Sequence, residues 1–263
     1  MIDFTTSDES SDLVADVLWS MGVVAIEERQ NEAGRATLRT SMGADVQAAI
    51  TAVKSVFPDI ETEVIGVARS VADTWREYAT ATWVTESVAL VPAWVSAPEN
   101  ATSILIEPLD TFGLGNHPTT VLALRLALRC IDNNAHVIDV GCGSGVLAIA
   151  LSKLKQCTCA VFDIAESARG AVQQNTQLND VSNVEWTDHW QTAHADAVVA
   201  NILAPVLKAE AESIENTLTS EGLVVLSGMR DEQVAGVLGY YRNCHEVTRE
   251  TMDGWTAVVL SKK

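Results

Sequence analysis

The sequence predicts an α/β chain in two parts. A small α+β unit of ferredoxin-like type precedes a larger domain wound around a mostly parallel sheet. Three observations carry this prediction. From residue 94 onward, β-type runs alternate with helical patterns, and such βα repeats force parallel strands with helices on both faces. The first 66 residues instead read helix, two strands, helix, strand, with "IDF" supplying a strand before them. Hydrophobic residues make up 48% of the 263, enough for a packed core.

In the first unit, residues 1–66, Val14, Val17, Leu18 and Met21 recur at helical spacing and Gly22 serves as a stop. Thr6 stands three residues before Glu9, the spacing of a capping box. "VVAIEER" and "RATLRT" read as strands around a turn at Asn31 to Gly34. "ADVQAAITAVKSVF" is a second amphipathic helix ended by Pro58, and "IETEVIGV" is a further strand. Residues 67–93 read as a connector, with Trp75, Tyr78 and Trp83 packing a joint and "VALVPAW" leading out of it.

The domain at 94–263 begins with the strand "TSILIEP", the loop "FGLGNHPTT" and the helix "TTVLALRLALRCI". The strand "HVIDV", the loop "GCGSG" and the helix "VLAIALSKL" follow, then "CTCAVFD" and "AESARGAVQQNTQLN" as strand and helix. "NVEWT", "DAVVANI" and "GLVVLSG" are further strands, with the helix "APVLKAEAESIENTL" between the last two. A helix near 231–241 leads into "HEVTRE" and "GWTAVVLSK", a closing antiparallel pair.

Charge and cysteines exclude several classes. With 35 acids against 17 bases the formal charge is −18, which repels phosphate backbones and argues against direct nucleic-acid binding. Such a surface attracts a basic partner or serves solubility. The first unit, with twelve acids and four bases, carries −8 of it. No stretch approaches the roughly 18 apolar residues of a membrane span, and the acidic start lacks the features of a signal peptide. The five cysteines are odd in number and scattered, as in a reduced, cytoplasmic chain. The five histidines show no metal-ligand spacing, so no metal is expected.

Two loops carry the chemistry. "FGLGNHPTT", Phe112 to Thr120, has the glycines of a ligand loop but lacks the lysine of a P-loop. In "VIDVGCGSGVLAI" a strand ends at Val140, glycines fall at 141, 143 and 145, and a helix follows at once. Gly141 and Gly143 permit a tight turn and close ligand approach, while "GSGVLA" also satisfies a nicotinamide fingerprint. Asp139, inside the preceding strand, either meets a cationic ligand group or braces the loop, and it is a poor neighbour for a pyrophosphate. Asp163, closing "AVFD", is placed to accept hydrogen bonds from both ribose hydroxyls. Asn201, at the end of "DAVVAN", sits on the rim where α/β sheets bind ligands. Its amide oxygen can orient a substrate N–H, where a carboxylate would favour the protonated amine; it also reads as a cap for the following helix. His117 reads as a proton acceptor or as a group that holds the loop's shape.

Taken together, "FGLGNHPTT", "VIDVGCGSGVLAIA", "VFDI", "VVANILA" and "LSGM…EQ" resemble the methyltransferases that modify large-subunit ribosomal protein eleven. The resemblance also includes "DVLWSMGVVAIEE" and "W…VPAW", and so runs nearly the full length. It implies a Rossmann-like class I domain whose seven-stranded, mostly parallel sheet ends in an antiparallel strand. It implies S-adenosyl-L-methionine as cofactor, a small domain that recognises the substrate, and methylation of lysine or amino-terminal amines. By motif position, Thr120, Gly141, Asp163 and Asn201 fall at cofactor contacts, and Phe112, Asp139 and Gly143 are placed with them. Asn201 and His117 are the candidate catalytic groups. The resemblance is broken at Leu114 and Asn116, where the family pattern has threonines. Alternatives are another protein or a small molecule as acceptor, a nicotinamide-dependent oxidoreductase, and a non-catalytic binding module. The oligomeric state is not legible, and a monomer suffices for this reading.

Overall fold

The computed structural model describes residues 1–263 apart from 21–22, 24–25, 32–33, 41–49, 52, 55, 66–75, 77–78, 110, 112–113 and 193. Its contacts divide the chain into two units, Met1–Tyr78 and Ala79–Lys263.

In the first unit, β1 (Ile2–Ser7) is followed by α1 (Asp8–Ser20), β2 (Ile26–Asn31), β3 (Arg35–Thr40) and β4 (Glu61–Val64). The sheet order is β2-β3-β1-β4, with every neighbouring pair antiparallel. That order belongs to the ferredoxin-like arrangement. Alternate residues of β1 and β3, Ile2, Phe4, Ala36 and Leu38, are buried together with Val14 and Leu18 of α1. On the opposite face Arg39 forks onto Asp3, its cross-strand partner, with two bonds of 2.7 Å. The guanidinium holds the Asp3 carboxyl below the usual range. The expected capping box at Thr6 does not form, because Thr6 is extended in β1 opposite Ala36. Most of the second predicted helix, the Gly22 stop and much of 67–93, including Trp75 and Tyr78, lie outside the described residues. Ile50, Thr51, Val53, Lys54 and Val56 are helical.

The second unit opens with a separate three-stranded sheet, β5 (Thr82–Trp83), β6 (Val88–Pro92) and β7 (Thr102–Ile106), in the order β5-β6-β7. All of β6, read as connector in the sequence, is buried here. β7 pairs in parallel with β6 and does not join the large sheet.

Then come α2 (Pro118–Cys130), β8 (His136–Val140), α3 (Val146–Lys155), β9 (Thr158–Phe162), α4 (Glu166–Leu178), β10 (Val184–Trp186) and β11 (Ala195–Asn201). The chain continues through α5 (Ala204–Ala209), α6 (Ala211–Thr217), β12 (Leu218–Arg230), α7 (Val234–Leu238), β13 (Cys244–Met252) and β14 (Trp255–Lys262). The seven-stranded sheet runs β10-β9-β8-β11-β12-β14-β13. Its first five strands are parallel, and β14 is antiparallel to both β12 and β13. The single predicted helix over 204–218 is broken at Glu210, whose φ of −91° and ψ of 1° leave the helical range.

Successive residues of the central strands feed opposite cores. Val137, Val199, Val225 and Val259 pack with Leu122, Leu126, Leu147 and Leu151 of α2 and α3. Ile138, Val198, Val224 and Val258 pack with Leu207 and Ile214 of α5 and α6, and with Trp190. Burial on both faces explains why these strands read as unbroken apolar runs. No helix among the described residues is long and apolar enough to cross a membrane.

Candidate functional site

The sheet reverses its winding between β8 and β11, and the carboxyl ends of strands at such a switch point are where α/β sheets bind ligands. The glycine loop sits there. Gly141 has φ +76°, and a Cβ on it would lie 2.2 Å from Cγ2 of Ile202. Only glycine allows both the backbone turn and this approach of the segment after β11. Gly141 and Cys142 donate their N–H groups to the Phe162 carbonyl, which ties the loop to the end of β9.

Two carboxylates flank the loop. Asp163, half-exposed after β9, accepts from Gly143 N–H and Ala165 N–H, one per oxygen at 2.8 Å. An ionised carboxylate has about four acceptor sites, so each oxygen keeps capacity for a hydroxyl. Asp139 is buried in β8. Its Oδ2 accepts from Ala148 N–H, in the first turn of α3, at 3.3 Å. Its Oδ1 is buried with no hydrogen-bond partner among the described residues. Burial pushes this carboxyl up to about 7, against the Ala148 hydrogen bond and helped by the nearby Asp163 charge. A brace for the first turn of α3 and an orphaned acceptor are thus the same side chain.

Asn201 closes β11 and donates from Nδ2 to Oγ1 of Thr120, 3.3 Å away and buried in the first turn of α2. It does not cap the next helix; Leu203 stands at the N-cap of α5. The Ser227 hydroxyl donates to the Thr119 carbonyl at 2.9 Å, binding the start of α2 to β12 as well. Gly228, at φ +89°, lies so close to Ile202 that a Cβ would meet its carbonyl oxygen at 2.3 Å.

His117 is the N-cap of α2. Its Nδ1 accepts the Thr119 N–H at 3.3 Å and shares a 2.8 Å hydrogen bond with the Thr119 hydroxyl. The ring stands edge-on to Trp255, 4.9 Å between centroids, and the Arg230 guanidinium lies 4.0 Å over the same indole. Although the residue keeps an exposed edge, partial burial and then the Arg230 charge lower its pKa. The cap needs an acceptor at Nδ1, and a neutral imidazole provides one.

Thr120, Asn201, Gly141, Gly143, Asp139 and Asp163 therefore lie along one rim, while His117 shores up the base of α2. Phe112 lies outside the described residues. Leu114 packs against the core of the second unit and Asn116 is exposed. Sequence reasoning missed Ile164, an apolar side chain 95% exposed directly after Asp163. Its signal was position alone, since an isoleucine between a strand-end acid and a helix start has no core to fill. Among the described residues no group of three or more His, Cys, Asp or Glu is placed to hold a metal ion.

A model of the ribosomal protein L11 methyltransferase (PrmA) family matches residues 1–263. The chain belongs to the PrmA family. Relatives carry the same description. The ribosomal protein L11 methyltransferase of Neisseria meningitidis serogroup A / serotype 4A is 35% identical over 183 residues, covering 68% of this chain and 62% of that protein. That of Acinetobacter baumannii strain SDF is 33% identical over 199 residues, covering 72% of this chain and 66% of that protein. The chain thus spans less than two thirds of the length of the Neisseria relative. Among solved structures, the ribosomal protein L11 methylase of Lactobacillus delbrueckii subsp. bulgaricus superposes with a TM-score of 0.65 at 27% identity. That match covers 70% of this PrmA-family chain and 100% of the other. The sheet order described above is the class I methyltransferase arrangement that this likeness supports.

Proposed function

We propose that this PrmA-family chain is an S-adenosylmethionine-dependent methyltransferase that modifies amino groups of a basic protein, ribosomal protein L11 being the favoured substrate. The observation that carries the reading is the pair of carboxylates on the glycine loop. Asp163 is suited to two ribose hydroxyls, and the orphaned Oδ1 of Asp139 is suited to positive charge. A pyrophosphate at the same loop would meet that buried acid, which argues against a dinucleotide.

S-adenosylmethionine, when bound, supplies an electrophilic methyl on a sulfonium. The chain's own residues supply the rest. The glycine loop admits a ligand against its backbone, and Ile164 offers an apolar face beside Asp163 for a base ring. With Nδ2 of Asn201 committed to Thr120, the amide oxygen is left to accept from an acceptor amine and aim its lone pair. An unperturbed lysine has a pKa of about 10.4 and an α-amine about 7.7–8, so the site must desolvate and orient a neutral amine. His117 holds α2 through its cap rather than taking that proton.

The acidic surface, −18 overall, favours a cationic partner, and the reading places the protein in the cytoplasm with its substrate. Residues 1–66 are assigned to substrate recognition, 67–93 to a connector and 94–263 to the cofactor domain, by the family resemblance. Calorimetry with S-adenosylmethionine, S-adenosylhomocysteine and NAD tests the cofactor, and transfer of labelled methyl to purified L11 tests the acceptor. Tight NAD binding without the nucleosides overturns the proposal. Label on small molecules alone reassigns the acceptor.

A further inference from the structure

Helix α4 carries Asn175 on its buried side and ends at Asn179, its C-cap one turn further on, and both are almost wholly enclosed. Each forms a two-bond ring with the open edge of β7 and the residue just beyond it. Leu105 N–H donates to Asn179 Oδ1 at 2.9 Å, and Asn179 Nδ2 donates back to the Leu105 carbonyl at 2.7 Å. Glu107 N–H donates to Asn175 Oδ1 at 2.8 Å, and Asn175 Nδ2 returns to the Glu107 carbonyl at 3.0 Å. The geometry allows it. Four residues of helix advance about 6 Å, and two residues of strand about 6.6 Å, so two amides can read alternate peptides. In effect the helix supplies the missing neighbour strand.

The two amides differ in their remaining hydrogen. Asn179 donates it to the Asn175 carbonyl in its own helix, at 2.9 Å. Asn175 donates it to the carbonyl of Ser144 at 2.9 Å, inside the glycine loop. One buried amide therefore holds the chain where it leaves β7 and, at the same time, the turn between Gly143 and Gly145. Every hydrogen on its nitrogen is spent on these two segments. A side chain with fewer donors gives up one of these two bonds.

We propose that Asn175 is a positioning residue for cofactor binding: it fixes the glycine loop against the segment leaving β7, acting through Ser144 without touching the ligand. This rests on the cofactor reading above. Asn179, with the same paired amide bonds, a further one from Lys153 Nζ at 3.4 Å and none to the loop, is the internal control.

The test compares Asn175→Ala and Asn179→Ala in the full chain. Calorimetric titration with S-adenosylhomocysteine is expected to show Kd raised at least tenfold in the first and less than threefold in the second, at matched loss of Tm. Hydrogen–deuterium exchange without ligand is expected to rise at both 105–109 and 141–147 in the Asn175 variant. In the Asn179 variant it should rise only near Leu105. Equal Kd values for the two variants overturn the proposal, as does exchange in the Asn175 variant confined to 105–109. If the unmodified protein fails to bind S-adenosylhomocysteine, the cofactor reading falls, and the exchange pattern alone decides whether Asn175 couples the segments. Should Asn175→Ala not fold, Asn175→Ser takes its place with the same expectations.

Discussion

The amide of Asn201 donates to the hydroxyl of Thr120 across 3.3 Å, joining the last residue of β11 to the first turn of α2. These residues are 81 apart in the chain. The bond uses one of the two amide hydrogens and does not involve the Asn201 oxygen, to which the proposed role falls. Replacing Asn201 by Ala is expected to cut methyl transfer on the order of a hundredfold, the scale of a misaimed reacting group. The Tm should shift little, since the side chain is only half-buried. Steady-state kinetics beside thermal melting check this, and unchanged turnover removes Asn201 from the reaction.

Asp163 braces the glycine loop with one oxygen, through Gly143 N–H, and the start of α4 with the other, through Ala165 N–H, and both oxygens keep spare acceptor sites. Asp163→Ala is expected to weaken S-adenosylhomocysteine binding by roughly 1.5–3 kcal/mol, the range for a hydrogen bond to a charged group. Calorimetry reads this directly. An affinity unchanged within error would place the ribose elsewhere.

Asp139 makes stability depend on pH in an unusual direction. Its carboxyl is raised to about 7 in the fold from an ordinary value of 3.8. Between those values the unfolded chain has released a proton that the folded one retains. Stability is therefore lost as pH climbs through this window, and the full penalty is present above about 7. Its size is of order a few kcal/mol. Asp139→Asn removes the charge, so the variant's stability relative to the parent should grow between pH 5 and pH 8. Urea unfolding at the two pH values measures it; a pH-independent difference contradicts the assignment.

Gly141 is hemmed in by Ile202. Gly141→Ala places a Cβ in a left-handed turn, which costs about 1–2 kcal/mol, and overlaps Cγ2 of Ile202, an overpacking of about 1–3 kcal/mol. Combining it with Ile202→Ala should recover part of the second cost and none of the first. A double-mutant cycle by urea unfolding would show this as non-additivity, and simple additivity would mean the two do not meet.

Much of the second unit was legible because βα alternation is a local signal repeated many times. The glycine run after "HVIDV" announced its own turn, and Asp139, Asp163 and Asn201 followed from their places at strand ends. What stayed hidden depended on partners. Periodicity marks β7 as a strand but does not say that it pairs with β6 and stands apart from the large sheet. Thr6 satisfies a capping spacing, yet pairing with β3 keeps it extended. The break at Glu210 has no proline or glycine to announce it. Asn175 and Asn179 could have been found, since Ala168, Ala171, Val172, Asn175 and Asn179 share one helical face. Polar residues on an apolar stripe ask where their hydrogen bonds go, and that answer needed the strand.

The asparagine pair also has a bearing on how the molecule behaves in a crowded solution. A bare strand margin is a template on which another chain can zip, the first step toward insoluble assemblies. Here the margin of β7 at Leu105 and Glu107 is already occupied by side chains of its own fold, so no peptide group at those two residues is left to recruit a stranger.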